Sequence, residues 1–176
     1  MSKLSSLAPA ARAAAGGALE KSNALESVTM KKRTRFPRAI NPTRVGKYPA
    51  VCSGGGGLVW DAVLEYRVWC HPERGAPDRE NRNDYYYAFA SYPEALRFSR
   101  KSPGAEEPLA LVLQKQHIDE PETGQYVHVK QQRIAEWPVE FLSRPRRTRN
   151  TIPDFLSPNA PGNRLDILRG RSKGRA

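Results

Sequence analysis

The sequence predicts an α+β fold, a small antiparallel or mixed sheet with one main helix and disordered basic N- and C-terminal flanks. Three observations predict it. Short runs rich in Val, Leu and Tyr indicate strands, one capped segment indicates a helix, and basic, Pro-containing stretches lie on either side. We place a leader at residues 1–29, a basic arm at 30–47, the α+β domain at 48–142 and a basic Pro-rich tail at 143–176.

The first strand of the domain is predicted at Leu64–Trp69. Its alternation divides the side chains between two faces, with Leu64, Tyr66 and Val68 on one and Glu65, Arg67 and Trp69 on the other. Burial of Arg67 would require a carboxylate or phosphate partner, so this arginine is a candidate site residue.

The second strand is predicted within Asp84–Ser91, which contains three consecutive tyrosines. We assign Tyr85, Tyr87 and Phe89 to the core face. Tyr86 is then left on the other face, where its ring is a candidate for stacking on a planar ligand.

The main helix is predicted to begin at Ser91, because Ser91, Pro93 and Glu94 fit a capping box. Pro103-Gly104 is expected to end it.

Two further strands are predicted after the helix, at Leu109–Gln116 and Tyr126–Ile134, joined by an acidic turn at Asp119–Gly124. We expect these two strands to pair as a hairpin. The short segment Glu136–Leu142 is amphipathic and fits either a helix or a strand.

The charge of the 176-residue chain is concentrated at its ends, although the formal net charge is +11 overall. Residues 31–50 contain seven basic and no acidic side chains, residues 51–140 contain ten basic and fourteen acidic, and residues 141–176 contain nine basic and two acidic. Such flanks indicate a nucleic acid or another acidic partner, contacted through residues 31–50 and 144–175. The plainer interpretation is a solubilising tail, or one that folds back on the acidic body.

Three motifs suggest chemistry without completing a site. Ser53–Gly57 lacks the Lys-Ser/Thr of a P-loop, which leaves a flexible turn or an amide nest for an anion. Cys70-His71 offers a nucleophile or half of a metal site, or simply the end of a strand. His117 and His128 lie on the predicted hairpin and would need a third ligand from the acidic turn. We therefore predict no metal site.

No apolar run approaches the ~20 residues of a membrane span, and residues 1–29 lack the apolar stretch of a secretory signal. We expect no membrane contact and a cytoplasmic location, with Met30 as an alternative start of translation.

The blocks Leu64–Gly75, Asp84–Ser91, Glu106–Leu113, His128–Lys130 and Glu136–Glu140 occur in this order. Over residues 31–170 they resemble a family of small alphaproteobacterial proteins commonly described as GNAT-type N-acetyltransferases. This resemblance implies acyl transfer from acetyl-CoA. GNAT domains bind the pyrophosphate of acetyl-CoA in an R/Q-x-x-G-x-G/A loop before a helix. We identify no such loop here and assign no cofactor-binding residue.

The order of elements is also similar to that of ADP-ribosyltransferase-like domains, which place an Arg on an early strand, an aromatic strand before a helix, and a late Glu. Arg67 and either Glu136 or Glu140 follow that order, although the Ser-Thr-Ser motif is absent. The similarity implies NAD as cofactor, with Arg67 on its pyrophosphate, Tyr86 or Tyr87 against nicotinamide, and Glu136 stabilising the sugar cation. Arg67, Tyr86 and Glu136 are thus the candidate catalytic residues.

Three functions stay open from the sequence. They are an N-acetyltransferase, a nucleotide-binding or ADP-ribosyl-transferring domain, and a non-catalytic basic module that binds nucleic acid or an acidic partner.

Overall fold

The structure is a computed structural model that describes residues 36–54 and 56–172. Its central element is a mixed β-sheet. The strands of this part are β1 (Ser53–Gly54), β2 (Ala62–Cys70), β3 (Tyr85–Phe89), β4 (Leu109–Gln114), β5 (His117–Glu122), β6 (Gln125–Val129) and β7 (Arg133–Pro138). The larger sheet has the spatial order β1-β7-β4-β2-β3, while β5 and β6 form a separate hairpin. The predicted α+β class is confirmed.

Strand β1 runs parallel to β7, and the other pairs of the larger sheet are antiparallel. Strand β4 lies between β2 and β7, and its Leu111 is the register partner of both Glu65 and Glu136. This row places two carboxylates from distant parts of the sequence on either side of one leucine.

The main helix, α1 (Tyr92–Lys101), packs on one face of the sheet. Ser91 is its N-cap residue as predicted, but the Ser91 side chain makes no capping hydrogen bond. The helix ends before Pro103-Gly104, also as predicted. Gly104 has a φ of +65°, and a Cβ there would collide with the backbone of Ala76. Glycine is therefore required at this turn.

The core between α1 and the sheet contains Tyr66 and Val68 from one predicted face of β2, but a β-bulge between Val63 and Glu65 puts Val63 in this cluster and not Leu64. Tyr66 and Val68 of β2 are fully buried there with Ala95 of the helix and Trp137 of β7. On β3, the Tyr87 and Phe89 rings contact the ring of Phe98. Tyr85, which was assigned to the same core face, instead lines an open groove and donates its hydroxyl to the carbonyl of Pro77.

The predicted pairing of Leu109–Gln116 with Tyr126–Ile134 holds only at one end, where Leu113 and Gln114 pair with Ile134 and Arg133. Strand β4 pairs with β7, and the hairpin is formed by β5 and β6. The expected acidic turn Asp119–Gly124 belongs largely to β5, and the expected strand Tyr126–Ile134 is divided between β6 and β7. Acidic residues are accepted in β5 because most of that strand is exposed.

The predicted domain boundary at residue 142 also differs from the structure. Helices α2 (Thr151–Leu156) and α3 (Arg164–Leu168) lie in the expected disordered tail. They bury Ile152, Phe155 and Leu168 against Val59 and Ile118 in a second apolar cluster. Four or five apolar residues spaced among prolines are thus enough to fold this segment onto the body.

One ion pair explains how a basic tail joins an acidic body. The Arg147 guanidinium lies 2.6 Å from a carboxylate oxygen of Asp61, with both side chains largely buried. The Trp60 Nε1 group also donates to the carbonyl oxygen of Arg144. The interpretation in which the tail folds back on the body is therefore correct for residues 143–172.

At the other end, part of the predicted arm at 30–47 also belongs to the body. Ala39 is buried, and its N–H donates to the carbonyl of Ala90. The predicted leader at 1–29 and the basic run at 31–35 lie outside the described residues.

Candidate functional site

The centre of the candidate site is Arg67, whose side chain is fully buried on the face of β2 opposite α1. Its Nε donates to Glu65 at 2.7 Å, and its Nη1 donates to Glu136 at 2.8 Å across β4. Nη1 and Nη2 also donate to the carbonyl oxygens of Ala50 and Pro49. Burial alone would lower the pKa of Arg67, but its hydrogen bonds to Glu65 and Glu136 raise that pKa above the ordinary value.

The segment that covers Arg67 comes from the predicted basic arm and the residues just after it. Besides the two carbonyl groups, this segment supplies the N–H of Gly46, which donates to Glu65 at 2.7 Å. Gly46 has a φ of +76°, a conformation that suits glycine. The arm therefore completes the hydrogen bonds of a buried ionic network in the body.

Two aromatic rings lie over this network. The Tyr86 ring centroid is 4.4 Å from the Arg67 guanidinium carbon, a cation–π contact. The Trp69 ring lies 4.9 Å from the Tyr86 ring, and the Trp69 Nε1 group donates to Glu136 at 3.3 Å. The position of both rings follows from the register of β2 and β3, which pairs Trp69 with Tyr86.

An open groove of about 310 Å³ runs along these rings. Its lining residues are Ala50, Trp69, Glu80, Asn83, Asp84, Tyr85 and Tyr86. None of the residues in this lining is basic, and two are carboxylates. The groove is thus aromatic and acidic, although the formal charge of the chain is strongly positive.

The cysteine beside the network is poorly suited to act as a nucleophile. Burial, followed by the negative charge of Glu136, raises the pKa of Cys52. A raised pKa keeps the thiol protonated, and the thiolate is the reactive form. Burial likewise raises the pKa of Tyr86, against a smaller opposing effect of Arg67.

The three predicted site residues come together: Arg67 bonds Glu136, and its guanidinium stacks on Tyr86. Glu140 lies apart on the exposed side of a 3-10 turn, and Tyr87 faces the helix. All three nitrogens of Arg67 donate to protein oxygens, and its side chain is not exposed. This geometry favours a structural role for Arg67 beneath the groove.

Sequence reasoning missed Glu65 as the second acidic partner of Arg67, although both were assigned to one strand face. The i, i+2 spacing of Glu65 and Arg67 was the available signal. It also missed Glu80 and Asp84, which the turn before β3 brings to the groove. The contacts of Arg67 with Pro49 and Ala50 use backbone carbonyls, so the identity of these two side chains could not have predicted them.

The other motifs lie outside this site. Cys70 is buried at the end of β2. His128 is the register partner of Ile118, so it does not face His117, and it contacts Gln116 instead. In the glycine run, Gly57 is packed against Gln114 and Arg133, whereas Gly55 is outside the described residues.

Comparison of the chain with family models, with curated proteins and with solved structures finds no match. The residues that the structure describes include no helix of the length and apolarity that a bilayer crossing requires.

Proposed function

We propose that the groove binds a ligand through a cationic amine. The observation that carries this proposal is the groove lining, in which Trp69 and Tyr86 lie beside the carboxylates of Glu80 and Asp84 with no basic side chain among the lining residues. An ammonium group gains from both features, since it is attracted to aromatic faces and to carboxylates.

The buried network supports the same ligand charge. Glu65 and Glu136 are two carboxyl groups around the single guanidinium of Arg67. Glu136 keeps 15% of its side chain exposed, next to Trp69. A cation in the groove therefore lies near a further acidic group. The groove volume, about 310 Å³, suits a ligand of side-chain size.

The resemblance to N-acetyltransferases extends this proposal to a reaction. In it, the bound ammonium first gives one proton to Glu136 as the proposed acceptor, the resulting neutral amine attacks the thioester carbonyl of acetyl-CoA, and the C–S bond breaks as the CoA thiolate takes up the second amine proton. The NAD alternative receives less support, because the guanidinium of Arg67 is occupied by protein oxygens. Both described cysteines are free thiols, which suits the cytoplasmic location that we propose.

The test uses Nα-acetyl-lysine methylamide and its neutral analogue Nα-acetyl-norleucine methylamide, which keeps the side-chain carbons but lacks the ammonium group, in calorimetric titrations of the full chain. We expect the lysine compound to bind about tenfold more tightly, and Glu80→Gln to weaken it severalfold. Glu140→Gln is the matched control, because Glu140 is exposed and lies outside the groove. Equal affinity for the two compounds, or no binding of either, contradicts the proposal.

Acyl transfer is tested in the same samples by adding acetyl-CoA and following acetyl-lysine by mass spectrometry, with NAD as the control cofactor. Product formation that Trp69→Leu abolishes supports the transferase function. Tight amine binding without product limits the proposal to a binding module.

A second candidate is binding of nucleic acid through the basic tail. Burial lowers the pKa of Arg144, and the nearby positive charges of Arg169 and Arg171 lower it further. Arg169 also has a buried Nε without a hydrogen-bond partner. Replacing Arg169 and Arg171 with alanine should weaken binding to a DNA duplex and reduce its salt dependence. An unchanged salt dependence contradicts this candidate.

A further inference from the structure

His71 and two acidic residues converge just outside the groove. Residue 71 follows the last residue of β2, Glu73 lies in the 3-10 turn Pro72–Arg74, and Asp84 precedes β3. The pairing of β2 with β3 brings the ends of these strands together. One ligand atom from each of His71, Glu73 and Asp84 lies within 4.8 Å of the other two.

The imidazole of His71 is in an unusual position for a histidine that serves packing alone. The residue is only 8% exposed. Its Nδ1 lies 2.9 Å from Asp84 and 3.7 Å from Glu73, and its Nε2 lies 3.1 Å from Glu106. Yet neither nitrogen is aligned with a partner for a hydrogen bond. Buried polar atoms in native proteins are normally satisfied, and an ion between Nδ1 and the nearby carboxylates of Glu73 and Asp84 would satisfy that nitrogen.

We propose that His71 Nδ1, Glu73 and Asp84 bind a divalent transition-metal ion, and that Zn²⁺ fits best. Imidazole nitrogen with carboxylate oxygen suits zinc, whereas Mg²⁺ and Ca²⁺ prefer oxygen ligands alone. Metal–ligand bonds of about 2.0–2.2 Å in a tetrahedron separate two ligand atoms by about 3.4 Å. The distances of Nδ1 from the two carboxylates, 2.9 and 3.7 Å, lie on either side of that value.

Glu106 supplies a feature that recurs beside metal-bound histidines. A histidine that gives one nitrogen to a metal usually donates its other N–H to a carboxylate, which fixes the ring. Glu106 lies on the Nε2 side of His71 and is itself held by Arg74 at 2.7 Å. Glu73 and Asp84 are about half exposed, which leaves room for water as a fourth ligand.

This inference does not rest on the proposed function, because neither His71 nor Glu73 lines the groove. Asp84 belongs to both sites, so bound zinc removes one carboxylate from the amine. We expect zinc to weaken binding of Nα-acetyl-lysine methylamide to the wild-type chain, and to weaken it less in Glu73→Gln, which removes a zinc ligand outside the groove.

The experiment titrates the metal-free full chain with Zn²⁺ by calorimetry, and with Co²⁺ by visible absorption. We expect one ion per chain, at least about a hundredfold weaker binding in His71→Gln, and a loss of about 10- to 100-fold in Glu106→Gln. His128→Gln is the matched control, because His128 lies on the separate hairpin. Glu73 is exposed, so Glu73→Gln tests the ligand set without a risk to folding.

Two results overturn the proposal. One is that wild-type protein and the His71→Gln and Glu73→Gln variants bind zinc equally weakly. The other is that His128→Gln loses zinc as strongly as His71→Gln, which would assign the ion to other histidines. A Co²⁺ spectrum of tetrahedral type that disappears in His71→Gln and Glu73→Gln but persists in His128→Gln supports the ligand set directly.

Discussion

Replacement of Arg67 by methionine tests whether the buried ionic network is essential to the stability of the fold. Arg67 is fully buried, and its guanidinium donates to Glu65, Glu136 and the carbonyls of Pro49 and Ala50. Methionine keeps much of the side-chain length but removes every donor. Two carboxyl groups then remain inside or at the edge of the protein without their cation.

The expected loss in free energy of unfolding is about 3–5 kcal/mol, the usual cost of removing one partner from a buried ion pair. That is a large part of the roughly 5–15 kcal/mol that stabilises a typical domain. For the roughly 140 residues that the structure describes, the unfolding entropy converts this loss into a fall of about 10–17 °C in the melting midpoint. Urea denaturation followed by tryptophan fluorescence measures the free energy, and calorimetry measures the midpoint.

A control and a second variant make the result decisive. Arg74→Met removes an arginine that also pairs with a carboxylate but is 58% exposed, so its cost should stay below about 1 kcal/mol. Adding Glu65→Gln to Arg67→Met removes one uncompensated carboxylate and should restore part of the lost stability. The reasoning is refuted if Arg67→Met costs less than about 1 kcal/mol, or if the double variant is less stable than Arg67→Met alone.

Three further predictions concern the rest of the fold. Burial lowers the pKa of His117 below its ordinary value of 6.5, so the unfolded chain takes up a proton first and stability should fall as the pH drops below about 6.5. Urea midpoints at about pH 7.5 and about pH 5 should therefore differ less in His117→Asn than in wild type; an equal difference would contradict this. Gly104→Ala should destabilise more than Gly75→Ala in thermal melts, because both have positive φ but only residue 104 lacks space for a Cβ. Arg147→Ala should expose the tail to limited proteolysis, whereas the exposed Arg146→Ala should not; equal cleavage rates would show that the ion pair to the body does not anchor the tail.

The sequence was most informative about which side chains share a face of a strand. Alternation placed Tyr66 and Val68 on one face and Arg67 on the other, and the structure confirms this division. The period of a strand is two residues, so burial of one face determines the direction of every side chain in it. The N-cap at Ser91 and the end of α1 were predictable for a similar reason, since they depend on local backbone chemistry.

The sequence was less informative about β5, β6 and the tail. Leu109–Gln114 was expected to pair with the next strand, but its partner is β7, which lies beyond an intervening hairpin. The basic, Pro-rich composition after residue 142 predicted a disordered tail. A few apolar residues, such as Ile152 and Phe155, nevertheless attach this segment to the body. Composition averages over a segment, whereas docking depends on a few contacts.

By itself, the sequence determined the α+β class, the faces of β2 and β3, the limits of α1 and the candidates Arg67, Tyr86 and Glu136. These features depend on residues near one another in the chain. Only the tertiary structure decided that Glu65, Trp69 and the carbonyls of residues 49 and 50 complete the network, and that Asp84 lies beside His71. Those contacts follow from strand register and from loops that cross the sheet, which local residue patterns do not encode.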